Sequence, residues 1–161
     1  MSSHVIEPMK AESAQETAEL LIRVVSSLDY YNKRARREEL AKYTEPQLIE
    51  MIQEEPDAVL VARLSGKIVG FCISYYDDGL IWLSWFGVDD ACRGQGVGRS
   101  LLEALEATAG RRHAHKIWCD TRVPNEKSAR VLVGAGFQRI TMLKNHWYGQ
   151  DFYLWEKSLS Q

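Results

Sequence analysis

The sequence predicts an α/β fold in which a mixed, mostly antiparallel central sheet is flanked by helices. Two observations carry this. Three β-rich runs, 58–63, 67–76 and 80–88, are separated only by Ser65-Gly66 and by Asp77-Asp78-Gly79, turns short enough to make an antiparallel meander. Stretches of helical period stand on both sides of that meander, so neither an all-β nor an all-helical arrangement fits.

Taken in order, a short strand is expected around residues 4–7. Leu20, Leu21, Val24, Val25 and Leu28 then recur at the spacing of one helix face, which predicts a helix over 10–27. Residues 29–42 carry Lys33, Arg34, Arg36 and Arg37 beside Tyr30 and Tyr31, and read either as a solvated helix or loop or as a wall of a binding site. Thr44-Glu45-Pro46-Gln47 has the form of a capping box with Pro in the first turn, so a second helix should start there and bury Leu48, Ile49, Met51 and Ile52. After the meander, whose third run is apolar at nearly every position as a strand covered on both faces would be, 93–98 leads into a helix with Leu101, Leu102, Leu105 and Ala109 on one face. A short strand at 116–120, a helix opened by Pro124-Asn125 and ended by Gly134-Ala135-Gly136, and strands at 137–142 and 152–157 complete the chain. No repeat or linker interrupts it, and 1–161 read as one domain.

Composition narrows the function classes. The 161 residues are 45% hydrophobic and 26% charged with a formal net charge of −2, the balance of a folded protein without a global basic field, so no nucleic-acid partner is expected. No apolar run approaches the roughly 18 residues of a membrane-spanning helix, and residues 1–10 lack a signal-peptide pattern, so no membrane partner and a cytoplasmic location are expected. Cys72, Cys92 and Cys119 are widely spaced and lack a CxxC pair, and His113 and His115 have no third ligand in view, so no metal site is expected. With no histidine placed beside a cysteine by motif, a nucleophilic thiol is not expected either.

The segment Arg93-Gly94-Gln95-Gly96-Val97-Gly98 stands between a buried strand and an amphipathic helix. Alternating glycines at a helix N-terminus expose successive amides where the helix dipole also favours an anion, which suits a phosphate. A P-loop is excluded because Arg99, not lysine, follows Gly98 and the glycine interval is wrong. The dinucleotide fingerprint G-x-G-x-x-G fails because its third glycine position is Arg99. A tight strand-to-helix turn alone needs fewer glycines.

The spacing of Arg93, Gly96 and Gly98 resembles the R/Q-x-x-G-x-G/A signature of the GNAT superfamily of N-acetyltransferases. The order of elements from about residue 4 to residue 157 follows that family, and 125–137 (N-E-K-S-A-R-V-L-V-G-A-G-F) is similar to its N-x-x-[AS]…G-F segment. The resemblance implies that acetyl-CoA is the cofactor, with its pyrophosphate on the amides of Arg93, Gly94, Gln95, Gly96, Val97 and Gly98, helped by Arg99 and Ser100. It implies that the third meander strand splays from its next neighbour, so that backbone groups of Phe86, Gly87 and Val88 take the pantetheine arm, with Val88 N–H directed at the thioester oxygen. Asn125 is implied as a further cofactor contact, as a helix N-cap, or as both.

The implied reaction moves the acetyl group to a primary amine of a small molecule, peptide or protein by direct attack, which requires one group to take a proton and one to give one. Asp120 falls where the ribosomal-protein alanine acetyltransferase branch carries a glutamate. It is expected as the base, acting through a water because aspartate is one methylene shorter, or else as a structural carboxylate. Many members carry a tyrosine four residues before the glycine of Gly-Phe; here Leu132 stands there. Tyr148, in the last hairpin, is the replacement acid or a packing residue, with His146 behind it. The basic stretch 33–37 suggests an anionic acceptor. Tyr30, Tyr31 and Trp147 suggest an apolar groove, and Trp155 should border the acceptor as well. A catalytically silent acyl-CoA-binding or sensing module is the alternative that Leu132 suggests, a nucleotide-binding protein using the same loop is disfavoured by spacing, and a monomer or a homodimer is left open.

Overall fold

The computed structural model describes residues 3–160. One seven-stranded sheet forms from β1 (Val5–Pro8), β2 (Val59–Leu64), β3 (Lys67–Asp77), β4 (Leu80–Val88), β5 (Lys116–Arg122), β6 (Gln138–Leu143) and β7 (Phe152–Ser158), in the spatial order β1-β2-β3-β4-β5-β7-β6. All neighbours are antiparallel except β4 and β5, which run parallel. The meander is therefore present, and its turns work because Gly66 and Gly79 hold φ of 81° and 87°.

Helices α1 (Ala14–Ser26), α2 (Lys33–Lys42) and α3 (Glu45–Glu54) cover one face, where Leu20, Leu21 and Leu48 pack on Phe71 and Ile73. Helices α4 (Val97–Arg111) and α5 (Glu126–Gly134) cover the other, where Leu101, Leu105 and Leu132 pack on Leu83 and Ile117. The first helix starts later than its apolar period suggests, because Lys10 is extended and Ala11–Ser13 form a separate 3₁₀ turn. Residues 29–42 do contain a helix: Asn32 Oδ1 accepts from Ala35 N at 2.8 Å, and Ala35 and Tyr31 anchor it in a small apolar cluster with Val25. At the start of α3 the Thr44 amide donates to Gln47 Oε1 at 3.2 Å, the reciprocal half of the capping box. Of the four residues expected to be buried there, only Leu48 is fully enclosed; Ile49, Met51 and Ile52 pack at the margin of the core.

β4 departs from the fully covered strand that its apolar run suggests. Ile81 and Leu83 are buried, but every residue of the strand after Leu83 is half-buried. An extra residue, Ser84, shifts the register against β3 between Ile73 and Ser74, and from there the strand borders open space. No helix among the described residues is long and apolar enough to cross a membrane.

Candidate active site

The cleft opens where the sheet opens. β4 and β5 pair only at Leu80, Ile81 and Trp82, facing Lys116, Ile117 and Trp118, and beyond Trp82 they diverge. A cleft of about 1440 Å³ fills the gap and runs from the glycine loop at one end to α2 and the β6–β7 loop at the other. Its edges carry unpaired backbone. Asp89 N donates to Val69 O at 2.8 Å, so Asp89 and Val69 are a hydrogen-bonded pair of the β3–β4 ladder. Such pairs alternate with pairs that turn their amides and carbonyls outward, so the backbone groups of Val88 and Phe86, opposite Gly70 and Cys72, point across the gap toward β5.

Gly87 behaves differently from its neighbours. By the same alternation its backbone bonds Phe71, and a Cβ there would lie 2.7 Å from Phe71 Cζ. Its lack of a side chain lets β4 close on the core, and of the three residues only Phe86 and Val88 turn backbone groups to the cleft.

At the far end of the cleft, Gly94 and Gly96 hold φ of 79° and 80°, the left-handed region that glycine enters without strain. Gly96 caps α4, and the amides of Val97, Gly98 and Arg99 come before the first intrahelical bond, Ser100 N to Gly96 O at 3.0 Å. Nothing lies within 4 Å of a Cβ built on Gly96, so the space above the turn is open. Arg93, which pairs with Asp90 Oδ1 at 2.7 Å, lines the cleft with Arg99, and Lys127 and Arg130 of α5 add cations there. Two expected residues stand outside it. Gln95 is exposed and away from the lining, and Ser100 Oγ bonds His4 Nε2 at 2.7 Å, because its position on α4 turns it toward the β1 side. Asn125 lines the cleft while its Oδ1 accepts from Ser128 N at 3.2 Å, so it is an N-cap facing the cavity.

The opposite end brings together groups from four elements. Asp120 of β5 accepts from Trp147 Nε1 at 2.8 Å. Burial pushes its carboxyl pKa above the ordinary aspartate value, and the Trp147 hydrogen bond opposes that. Tyr148 donates its hydroxyl to Glu39 Oε1 at 3.0 Å, and burial together with the Glu39 carboxylate holds its pKa above the usual tyrosine value. Glu39, on α2, is 15% exposed and also accepts from Lys42 Nζ at 3.4 Å and Trp85 Nε1 at 3.4 Å. Arg122 lies over Tyr31, its guanidinium carbon 3.6 Å from the ring centroid. Tyr30, Tyr31 and Trp147 do line this end, as their sequence positions suggest.

Two expectations change, for the basic stretch and for Trp155. The basic residues 33–37 lie outside the lining; α2 turns Glu39 and Lys42 to the cleft instead, which removes the reason to favour an anionic acceptor. Leu132 is fully buried in the core between α5 and the sheet. Trp155 is also in that core, donating to Thr121 Oγ1 at 2.9 Å, because it lies opposite Cys119 on the inward face of the strand pair. Sequence reasoning missed Glu39; its only signal was a carboxylate spaced i, i+4 from Ala35, the buried alanine of α2. Of the thiols, Cys72 is pushed up to about 12 and Cys119 well above the ordinary value by burial, whereas Cys92 is half-buried and lines the cleft.

The split sheet beside a left-handed glycine turn is the arrangement that the resemblance to the GNAT superfamily implies. Residues 26–137 match the family model described as the acetyltransferase (GNAT) family, and the chain belongs to that family. Mycothiol acetyltransferase of Kineococcus radiotolerans is 36% identical to it over 86 residues, which make up 53% of this chain and 28% of that relative, so the chain matches little more than a quarter of the relative's length. Among solved structures, the PaiA N-acetyltransferase of Thermoplasma acidophilum in complex with coenzyme A superposes with a TM-score of 0.82 at 16% identity, covering 98% of this chain and 99% of that one. Ard1 from Thermoplasma volcanium gives 0.78 at 20% identity, covering 98% and 99%. The putative acetyltransferase yncA of Salmonella typhimurium, solved with acetyl-CoA, gives 0.77 at 21% identity, covering 98% and 95%. At these identities the structures establish a shared fold.

Proposed function

We propose that this acetyltransferase moves the acetyl group of acetyl-CoA directly to a primary amine within the split between β4 and β5. The observation that carries the reading is the continuity of the cleft: it joins a cation-flanked amide turn at Gly96, outward-facing backbone at Phe86 and Val88, and the Asp120 carboxylate. A long phosphorylated thioester has an anchor, a strand-like rail and a reaction end in that order.

In this reading the amides at Val97, Gly98 and Arg99 hold the pyrophosphate, and Arg93, Arg99, Lys127 and Arg130 neutralise cofactor phosphates. Asn125 offers its amide nitrogen, since its oxygen caps α5. Val88 N–H stabilises the charge that develops on the thioester oxygen as the amine attacks. An amine of pKa about 8 to 10 arrives mostly as ammonium and must lose a proton first. Asp120 takes it, and the burial that raises its pKa makes it a stronger base than a solvated aspartate. The amine nitrogen then forms its bond to the acyl carbon, the carbon–sulfur bond breaks, Tyr148, kept protonated by its raised pKa, gives its proton to the thiolate, and the second proton that the nitrogen sheds on becoming an amide passes through water to the tyrosinate.

Incubation with acetyl-CoA and a panel of amines and peptides, following free thiol and acceptor mass, tests the proposal; acceptor heavier by one acetyl group is expected. The buried Leu132 favours a second reading, a module that binds acyl-CoA without turnover, because no hydroxyl occupies that position. It predicts that CoA raises the melting temperature while no acceptor releases thiol.

A further inference from the structure

Arg122 is a buried charge without a counter-ion. The residue is 8% exposed and lines the cleft, and among the described residues no carboxylate forms an ion pair with it. Its partners are neutral: Nε donates to Gln150 Oε1 at 2.8 Å, and the guanidinium carbon stands 3.6 Å from the Tyr31 ring centroid and 5.0 Å from that of Phe152. Gln150 engages only Nε, so the two Nη nitrogens, which can meet both oxygens of a carboxylate, find no charged partner within the chain. Burying a cation this deeply is costly unless an anion meets it, and the aromatic rings offset only part of that cost.

Asp120 shares the face from which Arg122 projects. The two stand i, i+2 on β5, so both side chains leave the same side of the sheet, about 7 Å apart along the strand. They do not pair with each other; Asp120 accepts from Trp147 Nε1 at 2.8 Å and lines the cleft as well. Glu39 is taken by Lys42 Nζ at 3.4 Å, so the charges left for an acceptor are one of each sign.

Resting on the transfer reading above, we propose that Arg122 holds a carboxylate of the acceptor and that the acceptor is a free α-amino acid. Its ammonium meets Asp120 and its carboxylate meets the Nη pair, with hydrogen bonds of about 2.7–2.9 Å at each end of a molecule whose two charges share one carbon. The planar guanidinium fixes both carboxylate oxygens and thereby orients the nitrogen for attack. A peptide N-terminus or a lysine side chain carries a neutral group where the carboxylate would be and leaves Arg122 unpaired. Tyr30, Trp85 and Trp147 line the same end and suit an amino acid whose side chain has apolar surface.

The test screens the standard amino acids for thiol release and compares the best of them with its amide and with its decarboxylated amine, for example leucine, leucinamide and isopentylamine. The amide, with an α-amino group of pKa about 8, loses its proton most easily, so a preference for the free acid must come from binding. The wild type should use the acid with kcat/KM about tenfold or more above both analogues. Arg122→Gln removes the charge, and Arg122→Lys keeps it without the fork. The glutamine variant should raise KM for the acid about tenfold or more and the lysine variant less, with kcat/KM for the amide within about threefold and CoA affinity unchanged. An arginine that only supported the fold would lower all three substrates alike.

Turnover of simple amines or peptides but of no amino acid, equal use of acid and amide by the wild type, or an equal loss on all three substrates in the folded variants overturns the proposal. So does a fall in CoA affinity that matches the loss on the acid, which would assign Arg122 to the cofactor. If nothing releases thiol, the transfer reading has failed separately. The carboxylate site is then read by calorimetric titration of leucine and leucinamide into the CoA-bound protein: tighter binding of the acid supports it, and equal binding or none overturns it.

Discussion

Replacing Gly96 by alanine separates what the turn does for the fold from what it does for the cofactor. The residue holds φ of 80°, where an L-residue costs about 1–2 kcal/mol, yet the added methyl meets no atom within 4 Å. For a chain of this size each kcal/mol lowers Tm by roughly 2–4 °C, so Gly96→Ala should melt about 2–8 °C lower and otherwise fold normally. The methyl occupies the open space above the helix amides, where a phosphate would sit. Losing one charge-assisted hydrogen bond there, worth about 1.5–3 kcal/mol, weakens CoA binding about ten- to a hundredfold. Gly87→Ala is the control. Its Cβ would stand 2.7 Å from Phe71 Cζ and 3.2 Å from Val24 Cγ1, an overpacking that costs about 1–3 kcal/mol, but its backbone is turned to β3. Calorimetric CoA titration and thermal melts of both variants should show comparable losses of Tm and a loss of affinity for Gly96→Ala alone. Normal CoA affinity in Gly96→Ala, or an equal affinity loss in folded Gly87→Ala, refutes the assignment of the anion site.

Other outcomes follow from the reaction end. Asp120→Asn should lower kcat strongly and flatten the acidic limb of the pH–rate profile, with CoA affinity unchanged. Trp147→Phe removes the hydrogen bond that favours the Asp120 carboxylate, so the aspartate pKa rises further and the acidic limb moves to higher pH; a limb that stays in place or moves lower contradicts Asp120 as the base. Tyr148→Phe should reduce turnover with little change in acetyl-CoA binding, and a normal rate removes it as the acid. Cys92→Ser should leave turnover within about twofold, because direct transfer uses no thiol nucleophile.

What could be read from the sequence was what local chemistry determines. The alternating glycines from Gly94 to Gly98, the caps at Thr44 and Asn125 and the two meander turns act over a few residues, and each appears where its pattern stands. Residues whose role depends on the phase of an element could not be read that way. α2 is charged almost all round, so only its docking through Ala35 decides that Glu39 and Lys42, rather than residues 33–37, turn to the cleft. Ser100 sits one position past the residue that reaches the cleft, which on a helix is a rotation of about 100°, enough to place its hydroxyl on His4. Trp155 and Leu154 are adjacent on β7, yet the register puts Trp155 opposite Cys119 in the core and Leu154 opposite Asp120 on the other face. The apolar run of β4 suggests burial, yet half of it is cleft wall, which hydrophobicity alone does not distinguish from core.

Direct transfer within the cleft is tested most directly by initial-velocity kinetics with both substrates varied, together with the intact mass of the protein after incubation with acetyl-CoA alone. Intersecting reciprocal plots and an unmodified protein are the predicted result. Parallel plots with an acetylated protein would contradict it and point to a covalent intermediate, with Cys92 as the first residue to examine.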